Sequence, residues 1–160
     1  MGECVVHKTF GVGHITALVE KQIFDDEARL YYEVHLEKAT IFVPVDSEHP
    51  SPFRRLSSED DLAQYRRVLK GKPDILDDNF RARFLSVDLK LKEGSLKSIC
   101  EVVRDLTARE HSKHLSKGDE NRLQNAKEIL LKEWSASKEI SFDEAEQEIE
   151  GLLLEGLQKE

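Results

Sequence analysis

The chain has 160 residues, of which 39% are hydrophobic and 35% charged, so it suits one domain or two small ones. It contains no run of about 18 apolar residues, so no membrane span is expected, and we expect no membrane among its partners. Its first residues lack the basic and apolar stretches of a secretory signal, and we expect a cytoplasmic protein.

Charge is distributed unevenly along the chain. The net charge is −8, which by itself disfavours nucleic acid as a partner. Residues 81–138 nevertheless hold thirteen Lys or Arg and nine Asp or Glu, whereas residues 139–160 hold one Lys and eight acids. The middle of the chain therefore fits either a basic interaction surface or an ordinary solvated surface of mixed charge.

The first 45 residues have the alternation and the β-branched and aromatic side chains that favour strands. We expect four short antiparallel strands, at Glu3–His7, His14–Ile23, Leu30–Leu36 and Thr40–Val43, with Pro44 ending the last one. The glycines of Gly11-Val12-Gly13 permit a sharp bend or a bulge. This pattern predicts a small curled sheet or a half-open barrel.

Helical spacing replaces the alternation after a linker at His49-Pro50-Ser51-Pro52, where two prolines disfavour both helix and central strand. Five helices are expected, from Ser57 or Ser58 to Leu69, from about Asp77 to Lys92, and after cap residues Ser95, Ser116 and Ser141. We therefore predict an α+β protein. A β domain covers residues 1–55, and a compact all-α domain covers residues 56–160.

The third helix has the clearest apolar stripe, formed by Leu96, Ile99, Cys100, Val103 and Leu106. Cys100 thus reads as a small buried hydrophobe, and Cys4 is the only other cysteine. This usage does not suit a disulfide framework, and it agrees with a reducing compartment.

The sequence shows no complete set of catalytic or metal-binding residues. It has no glycine-rich phosphate loop leading into a helix and no Gly-x-Ser-x-Gly elbow. Cys4 with His7, and His111 with His114, are spaced as metal ligands could be, but a zinc site needs further ligands that nothing supplies. We therefore expect no enzymatic activity, cofactor, metal or small-molecule substrate.

Phe80 stands near the start of the second predicted helix, beside Arg81 and Arg83. An apolar ring at a helix entrance, flanked by arginines, can wedge against unstacked bases while the arginines hold phosphate. Because Phe80 and Phe84 share a helix face, spacing alone favours a core or staple residue at Phe80.

Several short motifs follow one another in an order that spans nearly the whole chain. The strand region contains Val5-Val6-His7, Phe10-Gly11-Val12-Gly13 and Phe42-Val43-Pro44-Val45. The helical region contains Asn79-Phe80-Arg81-Ala82-Arg83-Phe84, Gly94, Glu101-Val102-Val103-Arg104-Asp105-Leu106, Leu115-Ser116 and Ala126-Lys127-Glu128-Ile129-Leu130. Together they resemble the CarD/CdnL family. Its N-terminal RNA-polymerase-interaction domain is shared with the bacterial transcription-repair coupling factor.

The resemblance implies a fold and a function. Members of this family bind the RNA polymerase β subunit with a Tudor-like β half-barrel. They place a helical domain on promoter DNA at the upstream edge of the transcription bubble. A tryptophan wedge there leans into the minor groove and hinders collapse of the bubble. They are not enzymes.

The resemblance also assigns roles to residues. The wedge position falls on Phe80, which keeps a flat apolar face but lacks the indole N–H. The residues then expected to contact DNA are Phe80, Arg81, Arg83, Arg109, Arg122 and Lys127. Those expected to bind polymerase are Lys21, Phe42, Val43 and Pro44.

Two functions follow from the sequence. The first is a transcription regulator that binds the polymerase β subunit and stabilises the promoter open complex at the upstream edge of the bubble. The second is a polymerase- or protein-binding adaptor of the same fold with no direct DNA role. Phenylalanine at the wedge position, the acidic run Asp119-Glu120 and the acidic fifth helix favour the adaptor.

Overall fold

A computed structural model describes residues 2–7, 11–22, 27–45 and 53–159. The chain forms two compact units, Met1–Leu56 and Ser57–Glu160. The first is a β-sheet and the second is helical, so the predicted α+β class is confirmed. The predicted linker at His49–Pro52 lies outside the described residues.

The first unit is one antiparallel sheet in the strand order β4-β3-β2-β1-β5. Its strands are β1 Cys4–His7, β2 Gly11–Lys21, β3 Arg29–His35, β4 Thr40–Pro44 and β5 Phe53–Arg55. The sequence did not predict β5, which pairs with β1 through Val6 and Arg54. Three residues, two of them arginines, are too few to show an alternating pattern.

The sheet buries one set of valines, Val5, Val6, Val34 and Val43. Side chains along β2 alternate between partly buried and exposed, as expected for a strand with one covered face. The register shift in the β2–β3 pair lies between Ile15 and Ala17. The bulge is therefore not at the glycine run where the sequence permits one.

The second unit contains α1 Glu59–Leu69, α2 Phe80–Glu93, α3 Leu96–Ser112, α4 Lys117–Lys138 and α5 Phe142–Leu157. Each helix begins after a cap whose side-chain oxygen accepts a backbone N–H: Ser58, Asn79, Ser95, Ser116 and Ser141. These bonds satisfy donors that the first helical turn leaves unpaired. Four of the caps are those that the sequence predicts.

Helix α2 starts three residues later than predicted. Asn79 Oδ1 accepts a hydrogen bond from the N–H of Ala82, and Asn79 N–H donates to Asp77 Oδ1. Residues 77–79 therefore form a turn, because both bonds compete with helical geometry. The helix ends at Gly94, whose left-handed φ of 76° suits glycine.

Helix α3 is the centre of the helical unit, since it contacts the other four helices. All five residues of its predicted apolar stripe are buried. Trp134 of α4 is the largest fully buried side chain of the described residues. This core holds the ends of α2, α3 and α4 in place, where the candidate site lies.

Both cysteines are free: Cys100 is buried, and Cys4 is partly buried. Burial raises the pKa of the Cys100 thiol well above its usual range, so this side chain is unreactive. In the described part of the chain, no helix has the length and apolar character needed to cross a membrane.

Candidate nucleic-acid interface

Phe80 is the first residue of α2, and it is 51% exposed. One edge of its ring faces Gly118 in the first turn of α4, because a Cβ atom at Gly118 would lie 3.7 Å from ring atoms Cε2 and Cζ. The centroid of the Phe84 ring lies 6.2 Å from that of Phe80. Phe80 is therefore supported from behind and open to solvent in front, which does not fit a core residue.

Arg122 of α4 stacks on the second of these rings. Its guanidinium carbon lies 3.7 Å from the centroid of Phe84, and its Nη1 donates to the carbonyl of Gly118 at 3.1 Å. We call Phe80, Phe84, Gly118 and Arg122 the wedge cluster. It presents an exposed flat ring beside a cation that is held in place by stacking and by one hydrogen bond.

Arg83 does not face solvent as the sequence predicts for a DNA contact. Its side chain is 5% exposed, and its Nε donates at 2.9 Å to Asp119, whose side chain is 2% exposed. Its Nη1 donates to the carbonyls of Asp77 and Asp78. A buried guanidinium with these acceptors has no free donor surface for phosphate. Arg83 instead joins the start of α2 to α4.

Arg81 is exposed and forms no ion pair with any residue that the structure describes. It lies about 160° around the helix from Arg83, whose side faces the bundle. The Arg81 guanidinium is therefore free for an external anion, and Arg81 directly follows Phe80 in the chain.

Arg109, near the end of α3, shares an acceptor with Lys113. Arg109 Nη1 and Lys113 Nζ lie 3.2 and 2.6 Å from Asp78 Oδ1, respectively. Hydrogen bonds from Lys113 and then Arg109 lower the pKa of Asp78, so this carboxylate is ionised at neutral pH. Asp78, the acceptor of this second group of charges, precedes Phe80 by two residues.

Lys127 lies away from the wedge cluster. It follows Arg122 by five residues on α4, so the two side chains are about 140° apart around the helix. They stand on opposite flanks of the buried stripe that includes Leu123, Ala126 and Leu130. The fold therefore brings Arg122 to the Phe80–Phe84 pair but leaves Lys127 apart.

Sequence analysis missed four residues of this region: Gly118, Asp119, Asp78 and Lys113. Asp119 reads as part of an acidic run that opposes DNA, but it is buried against Arg83. Its position three residues after the Ser116 cap is the available sequence signal, because an acid there faces back toward the helix start. For Gly118, the available sequence signal is that a glycine stands in the first turn of a helix.

In the sheet unit, Lys21 and Phe42 lie together, with Lys21 Nζ 3.6 Å from the ring centroid of Phe42. Pro44 is exposed, whereas Val43 belongs to the buried set. The side chain of Val43 is thus unavailable to a partner, because it fills the core of the sheet. Strand β4, which carries Phe42, Val43 and Pro44, is an edge of the described sheet.

The site has no arrangement for acid–base or nucleophilic chemistry that we can identify in the described residues. No group of three or more His, Cys, Asp and Glu there could hold a metal ion. What the wedge cluster can do is stack on a flat apolar surface and pair with anions. Both are properties of contacts with nucleic acid.

Comparison with known proteins agrees with this description. Residues 1–57 match the model of the CarD-like/TRCF RID domain, and residues 65–150 match that of the CarD C-terminal domain. The chain is 26% identical over 143 residues to a Bacillus subtilis (strain 168) protein named "Putative transcription factor YdeB". That match covers 88% of this chain and 93% of the relative.

A polymerase-interaction sheet followed by a helical domain of this kind defines a class of transcription factors. The domain that matches the RID model gives the chain a transcription-related role in which it interacts with RNA polymerase. The chain belongs to the CarD family.

Proposed function

We propose that this protein is a transcription regulator that binds the RNA polymerase β subunit with its sheet and stabilises the promoter open complex with its wedge cluster. The contact is at the upstream edge of the bubble, in the minor groove. The single observation that carries this proposal is the Phe80 ring, half exposed at a helix start and backed by Gly118.

A ring in this setting can act as a wedge for a physical reason. An apolar side chain that enters an opened base step replaces lost stacking, which contributes about 1–3 kcal/mol per base. Arg81 follows Phe80 in the chain and Arg122 stacks on the neighbouring Phe84 ring, so both can pair with phosphates close to the wedge. Because Phe80 is fixed by its neighbours, it loses little conformational freedom on binding.

The mechanism is a shift between two states of the promoter. The protein lengthens the life of the open complex only to the extent that it binds that complex better than the closed one. A wedge contributes to this difference because it needs an unstacked step, which the closed duplex lacks. No reaction, cofactor or small-molecule substrate is involved.

Attachment to polymerase explains how an acidic chain can act on DNA. When a protein already holds polymerase, its contact with the promoter becomes intramolecular. The effective concentration for such a linked second contact is on the order of mM. The intrinsic affinity of the wedge cluster for DNA can then be low. This location on polymerase and promoter places the protein in the cytoplasm, as the sequence suggests.

Edge strand β4 and the Lys21–Phe42 pair form the surface that we assign to the β subunit. An edge strand offers unpaired backbone groups to which a partner can add a strand. The ammonium of Lys21 over the Phe42 ring joins a charge to an apolar face. Of the four residues predicted, Lys21, Phe42 and Pro44 then contribute side chains, and Val43 contributes backbone.

The test compares two phenylalanines in matched positions. Phe80 and Phe142 are each the first residue of a helix, and they are 51% and 50% exposed. We expect Phe80→Ala to shorten open-complex lifetime about tenfold, the loss of roughly one stacked base. Phe142→Ala leaves the lifetime unchanged. Pull-down with the β lobe is equal for both variants and the parent.

The adaptor without a DNA role is the second candidate. It is favoured by the acidic first turn of α5, where Asp143 and Glu144 follow the exposed Phe142. This surface suits a basic protein partner. Under this alternative, Phe80→Ala and Phe142→Ala give equal open-complex lifetimes, which would contradict the wedge.

A further inference from the structure

Asp78 lies in the turn before α2 and holds two cations at once. Its Oδ1 accepts from Arg109 Nη1 and from Lys113 Nζ, both at the C-terminal end of α3. The Asp78 side chain is 71% exposed, whereas that of Arg109 is 12% exposed. The carboxylate therefore sits on the outer side of the two cations, where an external anion would approach.

The carboxylate does not satisfy both cations. Two positive groups face one negative one, and Arg109 Nε is buried with no hydrogen-bond partner among the described residues. A second negative oxygen would find unused donors here, because a guanidinium offers five N–H groups in a fixed fork.

The Asp78 side chain can leave without disturbing the backbone. Buried Arg83 donates to the carbonyls of Asp77 and Asp78, and Asn79 caps α2 independently. An exposed ion pair contributes little to stability, so exchange of the carboxylate for another anion has a small cost. The turn, and Phe80 after it, keep their positions during this exchange.

We propose that Arg109 and Lys113 form a second phosphate-binding locus beside the wedge, and that Asp78 occupies this locus when DNA is absent. This inference rests on the proposed function and names a further part of its DNA surface. Lys113 is a new contact residue, and Asp78 limits the affinity of the free protein for DNA.

The position of the locus suits a phosphate of the strand that Phe80 contacts. Two trans peptide links separate Asp78 from Phe80, so their Cα atoms lie within about 7.6 Å of each other. A phosphate carries the same kind of acceptor oxygens as the carboxylate, and it has more of them. It therefore pairs with both cations through charge-assisted hydrogen bonds.

The experiment measures fluorescence anisotropy of a labelled forked promoter duplex with the full chain. Asp78→Asn is compared with Asp74→Asn in the same loop, whose side chain is 72% exposed and pairs with Arg104 instead. Both variants change the net charge equally. We expect Asp78→Asn to bind about three- to tenfold more tightly, as release of exposed ion pairs allows. Asp74→Asn stays within about twofold, because Asp74 pairs with Arg104 and with neither Arg109 nor Lys113, and an exposed ion pair contributes little.

A second substitution locates the gain. In the Lys113→Gln background, Asp78→Asn should gain less than half as much, because one of the two cations is gone. Equal affinities of Asp78→Asn and Asp74→Asn, or weaker binding by Asp78→Asn, would overturn the locus. If binding still depends on Phe80, only this inference fails. If no variant binds forked DNA, with or without polymerase, the proposed function fails too.

Discussion

Arg81 and Arg83 stand two residues apart on α2 in opposite environments. Arg83 is buried against Asp119, and Arg81 is exposed without an ion pair among the described residues. The same side chain therefore serves packing at one position and is available for binding at the other. Because about 160° around the helix separates them, only Arg83 can face Asp119 in the bundle.

Substitution of each arginine by glutamine should separate the two roles. Arg83→Gln leaves Asp119 buried without its cation, and we expect a loss of about 3–5 kcal/mol in the free energy of unfolding. Arg81→Gln stays within about 0.5 kcal/mol, as exposed positions do. Urea denaturation followed by circular dichroism measures both. Equal losses would contradict the buried pair.

Arg81→Gln, which leaves stability nearly unchanged, should instead weaken the binding of DNA. For Arg81→Gln, we expect the slope of log K against log salt to fall by about 1, the effect of one lost phosphate contact. Anisotropy titrations of forked DNA between 50 and 200 mM salt, roughly the range in which such slopes are resolved, measure this change. An unchanged slope would remove Arg81 from the interface.

Phe80→Trp should strengthen the wedge. The indole adds flat area and an N–H donor, and we expect open-complex lifetime to increase about two- to tenfold. Phe142→Trp is the matched control, since Phe142 also begins a helix and is exposed to the same degree. A shorter lifetime for Phe80→Trp would show that Gly118 and Phe84 do not accommodate the larger ring.

Glu148 of α5 joins three helices. It accepts hydrogen bonds from Arg66 Nε of α1 at 2.8 Å, and from Trp134 Nε1 and Lys138 Nζ of α4 at 3.3 and 2.8 Å. Burial raises the pKa of Glu148, but these three donors outweigh it and hold the pKa below its ordinary value of 4.5. The carboxylate is therefore a stabilising link while it is ionised.

This link should weaken in acid. A group whose pKa is lower in the folded state stabilises fully above its unfolded pKa, near 4.5, and loses that contribution as pH falls through the folded value. We expect Glu148→Gln to cost about 1–3 kcal/mol at pH 7. The difference from the parent should shrink below pH 4.5.

Urea unfolding at pH 7 and at a pH below 4.5 provides the measurement. Glu150→Gln on the same helix is the control, because Glu150 is exposed and no bond to it is seen among the described residues. A cost for Glu148→Gln that stays constant with pH would contradict the assignment.

The helical unit has its own hydrophobic core and an uneven distribution of charge. All buried members of the helical core lie between Leu62 and Leu153, so residues 57–160 contain a complete core. Positive charge is concentrated in residues 81–138 of this unit and negative charge in residues 139–160. The net charge of −8 therefore describes neither surface.

A fragment of residues 57–160 should fold and bind forked DNA as the full chain does. Without the sheet it has no attachment to polymerase, and we expect it to need about 100-fold more protein to prolong the open complex. Thermal unfolding, anisotropy and open-complex lifetimes measure the three properties. Equal potency of the fragment and the full chain would remove the need for attachment.

Much of the fold is local and therefore readable in the sequence. Period-two alternation marked four strands, and serine caps with apolar stripes marked the helices, because backbone hydrogen bonding and burial act over a few residues. Strand β5 was not predicted, because it pairs with β1 through residues about fifty positions away in the chain. The start of α2 was misplaced because the side chains of Asp77 and Asn79 cap rather than continue the helix.

The α+β class and the family could be predicted from the sequence, since both depend on the order and spacing of short motifs. The wedge role of Phe80 is a prediction from the same motifs. Which charged residues face solvent depends on how the helices pack, and the tertiary structure is needed to see it. Whether an arginine is free or buried depends on partners that stand 36 residues away, as Asp119 does from Arg83, or 31, as Arg109 does from Asp78. Such pairings form when helices pack, so local sequence patterns do not predict them.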